Sequence, residues 1–226
     1  MNNFFAKPTD VWGDDAVKLT TTGVFTIIAV IAVLIVIALL VHRKQSKEAT
    51  AKLTTKQLVF SSAAIALAVI TSMIKLFELP WGGSVTLLSM LFIVLIANWY
   101  GPYVGIMTGT AYGLLQFVME PIFYTIPQML IDYPLAFGAL GLAGIFWKKK
   151  NGLIIGYLVG VLGRYVFAIL SGVIFFAEYA WDGWNPTLYS MAYNGSYLAL
   201  EAAITLVIIA LPPVAKALKQ IKQMTA

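Results

Sequence analysis

Two groups of residues in this chain have types and spacing that could do chemistry. The first is Asp132 with Tyr133 and Pro134, at the start of an apolar run. A carboxylate beside exposed rings suits a cationic ligand, because aromatic faces favour the same charge. The second runs from Ser171, Gly172 and Phe176 through Glu178, Tyr179, Trp181, Asp182, Trp184 and Asn185 to Tyr189, Tyr193, Asn194 and Tyr197. It places rings, carboxylates and amides at the junction of two segments apolar enough to cross a membrane. A bilayer penalises polar groups that lack a purpose or a partner. Flat rings provide apolar walls, and a few polar groups fix a ligand's orientation. The Asn194 amide both donates and accepts, which suits heterocycle nitrogens. Each residue also has a plainer reading. Asp132 could be a helix N-cap, and isolated rings such as Trp81 or Trp184 could form an interfacial belt.

Other chemistries find little support. The chain has no cysteine, which excludes disulfides and thiolate metal sites, and its one histidine, His42, lies in a basic linker. Neither a metal site nor a bound cofactor is expected. There is no G-x-x-x-x-G-K-[ST] phosphate loop, no H-E-x-x-H and no nucleophile elbow. The sequence is therefore not read as an enzyme, and it has no Walker-type means of powering transport by itself.

The elements that must position these residues are membrane helices. The 226 residues are 60% hydrophobic and 11% charged, with mean hydropathy +0.86; soluble domains carry roughly 25% charged residues. Long apolar runs argue against a β-barrel, whose strands alternate in short segments. The expected fold is an all-α membrane protein. Residues 1–22 form a polar N-terminus, 23–41 a first transmembrane helix, 42–56 a basic linker and 57–226 a six-helix membrane domain. Within that domain the expected spans are 57–76, 84–100, 103–119, 130–147, 153–177 and 194–213. Pro80, Gly82-Gly83, Gly101-Pro102, Pro121, Pro127 and Lys148–Gly152 supply the breaks.

The net charge of +5 is concentrated in juxtamembrane clusters, so it reads as a topology signal and not as a nucleic-acid surface. Arg43, Lys44, Lys47, Lys52 and Lys56 mark a cytoplasmic side. Lys148–Lys150 and Lys216, Lys219 and Lys222 fall on it too when seven spans are threaded. The N-terminus is then outside and the C-terminus inside, with Glu78, Glu120, Glu178 and Asp182 at the outer face.

Four ionisable residues lie in or near the apolar spans: Lys75, Asp132, Arg164 and Glu201. Such residues are functional candidates by default. The structural alternatives are snorkelling for Lys75 and a mutual ion pair for Arg164 and Glu201. Ser62, Ala64, Ala66 and Ala68 have small-xxx-small spacing that lets another helix approach closely. A contact within the chain is the plainer reading of that stripe.

With these residues in view, a resemblance becomes apparent. Gly82–Leu87, Asp132–Gly138, Gly163-Arg164, Ser171–Phe176, Tyr189 and Tyr193–Tyr197 occur in consistent order between about residues 56 and 222. This region resembles the thiamine-specific S component, the substrate-binding subunit, of energy-coupling-factor (ECF) vitamin transporters. The resemblance implies a multi-pass protein of the bacterial plasma membrane, with six core helices, that binds thiamine from outside. It implies partnership with a membrane coupling subunit and two cytosolic ATPases. It implies that Asp132 faces the thiazolium, that Tyr133, Gly172 and Phe176 line the pocket, and that Tyr189 and Asn194 hydrogen-bond the ligand. Trp81 matches a loop tryptophan that covers it. Ser62 and Ala66, or Ala64 and Ala68 in a shifted register, match the face that packs on the coupling subunit.

Two features depart from the pattern. Ala168 stands where the family commonly has histidine, four residues after Arg164, so one stacking face is missing. The apolar run 23–41 is additional to six helices. The same scaffold could bind a thiamine precursor or another small vitamin. A stand-alone secondary transporter would need a coupling-ion path, for which Arg164, Glu201 and Asp132 are the candidates. No internal repeat favours it.

Overall fold

The computed structural model describes residues 6–8, 17–19, 53–80 and 83–225. The expected additional helix at 23–41, most of the basic linker and Trp81 lie outside the described residues. Near the N-terminus, β1 (Ala6–Pro8) pairs antiparallel with β2 (Val17–Leu19), Lys7 opposite Lys18.

Helix α1 spans Thr55–Ser72. Thr54 caps it, accepting from the Gln57 N–H at 3.2 Å, while the Gln57 side chain accepts from the Thr54 N–H at 3.0 Å. This reciprocal box satisfies two donors that a helix start leaves open. A short hairpin follows, β3 (Lys75–Glu78) against β4 (Ser84–Thr86). The expected span at 84–100 is therefore a strand followed by a helix. That helix, α2, covers only Ser89–Tyr100. It is apolar all round, and Met90, Ile93, Val94, Ile96 and Ala97 are fully enclosed. Such a helix belongs at the centre of a bundle, and α2 packs against α1, α3, α4 and α5.

Helix α3 spans Pro102–Met119. Helix α4 runs from Ile126 to Phe146 in four registers: an α-helical turn to Leu130, a π-helical turn over Ile131–Leu135, an α-helical turn over Ala136–Ala139 and a 3-10 stretch from Leu140. Pro134 lies inside the π turn. Proline offers no N–H to the ladder, and a wide turn absorbs the missing bond. Helix α5 spans Gly152–Phe175, α6 spans Pro186–Ala210, and α7 spans Pro212–Thr225. Asn185 caps α6, with Pro186 at its first position. The expected start at Asn194 is thus about two turns too late. Among the described helices, α1, α4, α5 and α6 are long and apolar enough to cross a membrane. The fold is mostly helical, with the two small hairpins as the departure from an all-α reading.

Close helix contacts depend on glycines that the sequence reading did not single out. A Cβ at Gly109 of α3 would lie 2.3 Å from the Phe137 carbonyl of α4, and one at Gly113 would lie 2.4 Å from the Tyr133 carbonyl. These two bring α3 against the irregular part of α4, where backbone meets backbone.

Candidate functional site

A cavity of about 280 Å³ lies between the β3–β4 hairpin, the end of α3, the π turn of α4, the last turns of α5 and one face of α6. Asp132, Tyr133, Gly172, Phe176, Tyr189 and Asn194 all line it. Six of the seven candidate binding residues, drawn from three helices, are thereby brought together. The seventh, Trp81, lies outside the described residues. Trp181 and Trp184 are exposed and pair edge-to-face at 5.3 Å; they are absent from the lining.

Asp132 is not the N-cap of α4. Thr125 fills that role, accepting from the Gln128 N–H at 3.2 Å. The Gln128 side chain then donates to the Asp132 carboxylate at 2.6 Å and to the Ile122 carbonyl at 3.1 Å. The π turn places both Asp132 and Tyr133 on the cavity. Tyr133 and Phe117 meet in a T-shaped pair, centroids 5.1 Å apart. Its hydroxyl donates to the Glu120 carbonyl and accepts from the Ile122 N–H, both at 2.8 Å. Tyr133 therefore fastens the 120–125 loop as well as forming a wall.

The opposite wall comes from α5 and α6. A Cβ on Gly172 would fall 2.2 Å from the Ser190 hydroxyl, so only glycine lets α6 approach α5 there. Asn194 donates through its amide nitrogen to the Ser190 carbonyl (2.9 Å), the Ser190 hydroxyl (3.2 Å) and the Ala168 carbonyl (3.3 Å). Its amide oxygen accepts from the Tyr197 hydroxyl at 2.8 Å. Two of these acceptors belong to Ser190 of α6 itself and one to Ala168 of α5, and lone-pair capacity remains on the amide oxygen. Tyr189 stacks on Tyr193, with centroids 5.9 Å apart and planes 20° apart. Phe176 meets Tyr124 edge-on at 5.3 Å.

The expected Arg164–Glu201 ion pair is not formed. Arg164 lies over the face of Phe137, 4.2 Å from its centroid, and lines the cavity. Glu201 is 2% exposed and accepts from the Thr86 N–H at 3.0 Å and the Thr86 hydroxyl at 2.8 Å. The Ser89 hydroxyl and Met90 N–H lie at 3.4 and 3.5 Å. The residue before α2, Leu88, sits in the left-handed region at φ 64° and supplies no side-chain cap. Glu201 of α6 takes that place, where a helix start favours negative charge. Lys75 does not snorkel: its ammonium lies 3.1 Å from both Glu78 and Glu120. These two hydrogen-bonded carboxylates raise its pKa above 10.5. The bridge joins the hairpin to the end of α3 at the cavity rim.

Residues 58–221 match the family model described as Thiamine transporter protein (Thia_YuaJ). The chain belongs to that family. This Thia_YuaJ member is 32% identical over 167 residues to the "Thiamine transporter ThiT" of Bacillus subtilis (strain 168), a match covering 68% of this chain and 85% of that protein. It is 26% identical over 118 residues to the "Thiamine transporter ThiT" of Lacticaseibacillus paracasei, covering 45% and 59% respectively. The solved structure of ThiT from Listeria monocytogenes aligns with TM-score 0.54 at 24% identity, over 70% of this chain and 93% of that one. That likeness shows a shared fold. The family is one of transporters and not of enzymes.

The small-residue stripe of this Thia_YuaJ member divides into two faces. Ala64 (7% exposed) and Ala68 (0%) are buried in the chain's own core, Ala64 beside Ile96 and Val104. Ser62 and Ala66 are exposed. The shifted register, Ala64 with Ala68, is therefore corrected to an internal contact, because that side of α1 faces α2 and α3. Sequence reasoning gave Gln128, Ser190 and Thr86 no role of their own at the site. It placed Tyr193 and Tyr197 in the ring-rich group without a pocket role of their own, and read Glu201 as a partner for Arg164; all three line the cavity. Had α6 been started at Pro186, the four-residue spacing of Tyr189, Tyr193, Tyr197 and Glu201 would have marked one face.

Proposed function

We propose that this chain is the thiamine-binding subunit of an ATP-driven ECF-type uptake transporter of the bacterial plasma membrane. The observation that carries the reading is the convergence of Asp132, Tyr133, Gly172, Phe176, Tyr189 and Asn194 on one cavity in a member of a thiamine transporter family. At about 280 Å³ the cavity sits near the lower end of small-molecule sites, which run from roughly 300 Å³ upward. The Asp132 carboxylate is the counter-ion for the thiazolium, Phe176 and Tyr189 are the flat walls, and the Asn194 oxygen is a hydrogen-bond acceptor. Ala168 lines the cavity with a methyl group, so stacking falls to the other rings.

The cavity opens at the end of the bundle bearing Lys75, Glu78 and Glu120, and we assign that end to the outside. Lys222 hydrogen-bonds the Trp147 carbonyl, so the 148–150 and 216–222 lysine clusters share one end, as a cytoplasmic face requires. Ser62 and Ala66 on α1 are the face for a membrane coupling subunit, which two cytosolic ATPases would drive. A stand-alone secondary transporter is disfavoured, because the Glu201 carboxylate is taken up by Thr86 and Ser89 at the start of α2.

Calorimetry on the purified chain tests the reading. Thiamine is expected to bind 1:1 and to quench tryptophan fluorescence. Saturation by a different vitamin with no thiamine heat would overturn the ligand while leaving the scaffold.

A further inference from the structure

Helix α7 closes the end of the bundle remote from the cavity, and its side chains divide into three sectors. Val214, Leu218 and Lys222, four residues apart, are half-buried against the bundle, and Leu218 packs on the main core. The Lys222 ammonium donates to the Asn98 carbonyl (3.2 Å), the Asn98 side-chain oxygen (3.1 Å) and the Trp147 carbonyl (3.1 Å). Those carbonyls belong to the ends of α2 and α4, where the helix ladder leaves acceptors open and the dipole favours a cation. Lys222 thus pins α7 across two helix ends.

The second sector is apolar and uncovered. Ile221 and Met224 are 36% and 70% exposed, and Ala217 falls on the same flank at helical spacing. The third sector carries exposed Lys216 and Lys219 with Gln220 and Gln223. Residues 212–225 contain three lysines and no acidic residue. The Lys148–Lys150 turn lies at the same end, since Trp147 touches Lys222.

Position decides what covers this helix. Leu211 is extended (φ −62°, ψ 127°) and Pro212-Pro213 follows, so the chain turns sharply one residue after α6, a candidate membrane span. A helix leaving a span at such a corner starts at the bilayer surface. There, uncovered Ile and Met side chains meet acyl chains while lysines meet headgroups. We propose that α7 is an interfacial helix whose Ala217–Ile221–Met224 flank enters the bilayer and whose Lys216 and Lys219 bind anionic phospholipid headgroups. Lys222 is a positioning residue that fixes the helix's rotation.

The native chain has no cysteine, so single spin labels read out without background. The full chain would carry a label at Met224→Cys or Gln223→Cys, in nanodiscs of phosphatidylcholine alone or mixed equally with phosphatidylglycerol. In the mixed lipid, the label at 224 should collide several-fold more with oxygen than with an aqueous nickel chelate, and the label at 223 should show the reverse. Pure phosphatidylcholine, high salt, or K216Q with K219Q should each reduce the contrast at 224. Equal aqueous access at 223 and 224 in the mixed lipid would overturn the proposal. So would a contrast indifferent to salt and to lipid charge, or one that arises only when a coupling subunit is added. Circular dichroism of the lysine variant, expected unchanged, separates release of α7 from its unfolding.

Discussion

The Gly83 N–H donates to the Tyr193 hydroxyl at 2.9 Å across 110 residues of sequence, and the same hydroxyl donates to the Pro80 carbonyl. One side chain of α6 thereby holds both ends of the hairpin loop beside the cavity. A Cβ on Gly83 would fall 2.8 Å from that hydroxyl oxygen and 2.9 Å from the Tyr197 ring, so a side chain there would have to push these rings aside. Tyr193→Phe keeps the ring and removes both bonds, each worth about 0.5–1.5 kcal/mol. Ligand release, followed by stopped-flow tryptophan fluorescence, is expected to accelerate about 2- to 10-fold for the loss of one bond's worth of restraint. An unchanged dissociation rate would show that the loop does not limit release.

Asp132→Asn should lower affinity for a cationic ligand more than for a neutral analogue of the same shape. The carboxylate lies inside the membrane domain with one amide donor, Gln128, and charge attraction strengthens where water is partly excluded. Paired calorimetric titrations decide it. Equal weakening of both ligands would make Asp132 a packing group.

Asn194→Ala should weaken binding far more than Trp184→Ala. Removing the amide leaves the Tyr197 hydroxyl and the Ala168 carbonyl without that partner at the α5–α6 contact, at a cost of about 1–3 kcal/mol. Trp184 is exposed and off the cavity lining. Similar affinities for the two variants would contradict this division.

Tryptophan pairs on α1 should separate its two faces. Ser62→Trp with Ala66→Trp should abolish uptake and co-purification with the ATPases, while thiamine binding in detergent persists. Ala64→Trp with Ala68→Trp should destabilise the protein itself, since overpacking a filled core typically costs about 1–3 kcal/mol per site. Full uptake by the first pair would move the docking face elsewhere.

The Lys75 bridge carries a pH signature. Its hydrogen bonds to Glu78 and Glu120 raise the folded-state pKa above 10.5. A raised lysine pKa stabilises fully below the unfolded value and loses that contribution as pH rises through the folded one. Thermal unfolding of the native chain should therefore lose stability relative to Lys75→Gln only above about pH 10.5. The partners are largely exposed, so the difference should be small, about 0.2–1 kcal/mol. A gap that is constant to alkaline pH would assign Lys75's contribution to its methylene stem.

Much of this was legible without a structure. The apolar runs read at 57–76, 153–177 and 194–213 had to be helices, because hydrocarbon offers no partner to backbone polar groups, and helices lie at Thr55–Ser72, Gly152–Phe175 and Pro186–Ala210. The residue types at 132–133, 172–176 and 189–194 identified the cavity's walls, since polar and aromatic groups are costly in lipid without a use. Helical spacing fixes which residues share a face, but it does not say which neighbour that face meets. Tertiary packing alone buried Ala64 and Ala68 while leaving Ser62 and Ala66 outside. It gave Glu201 to the start of α2 instead of to Arg164, and it shared the Asn194 donors between Ser190 of α6 and Ala168 of α5. It also set Asp132 in a π turn opened by Pro134. Each outcome depends on distances between helices far apart in sequence, which local periodicity does not encode.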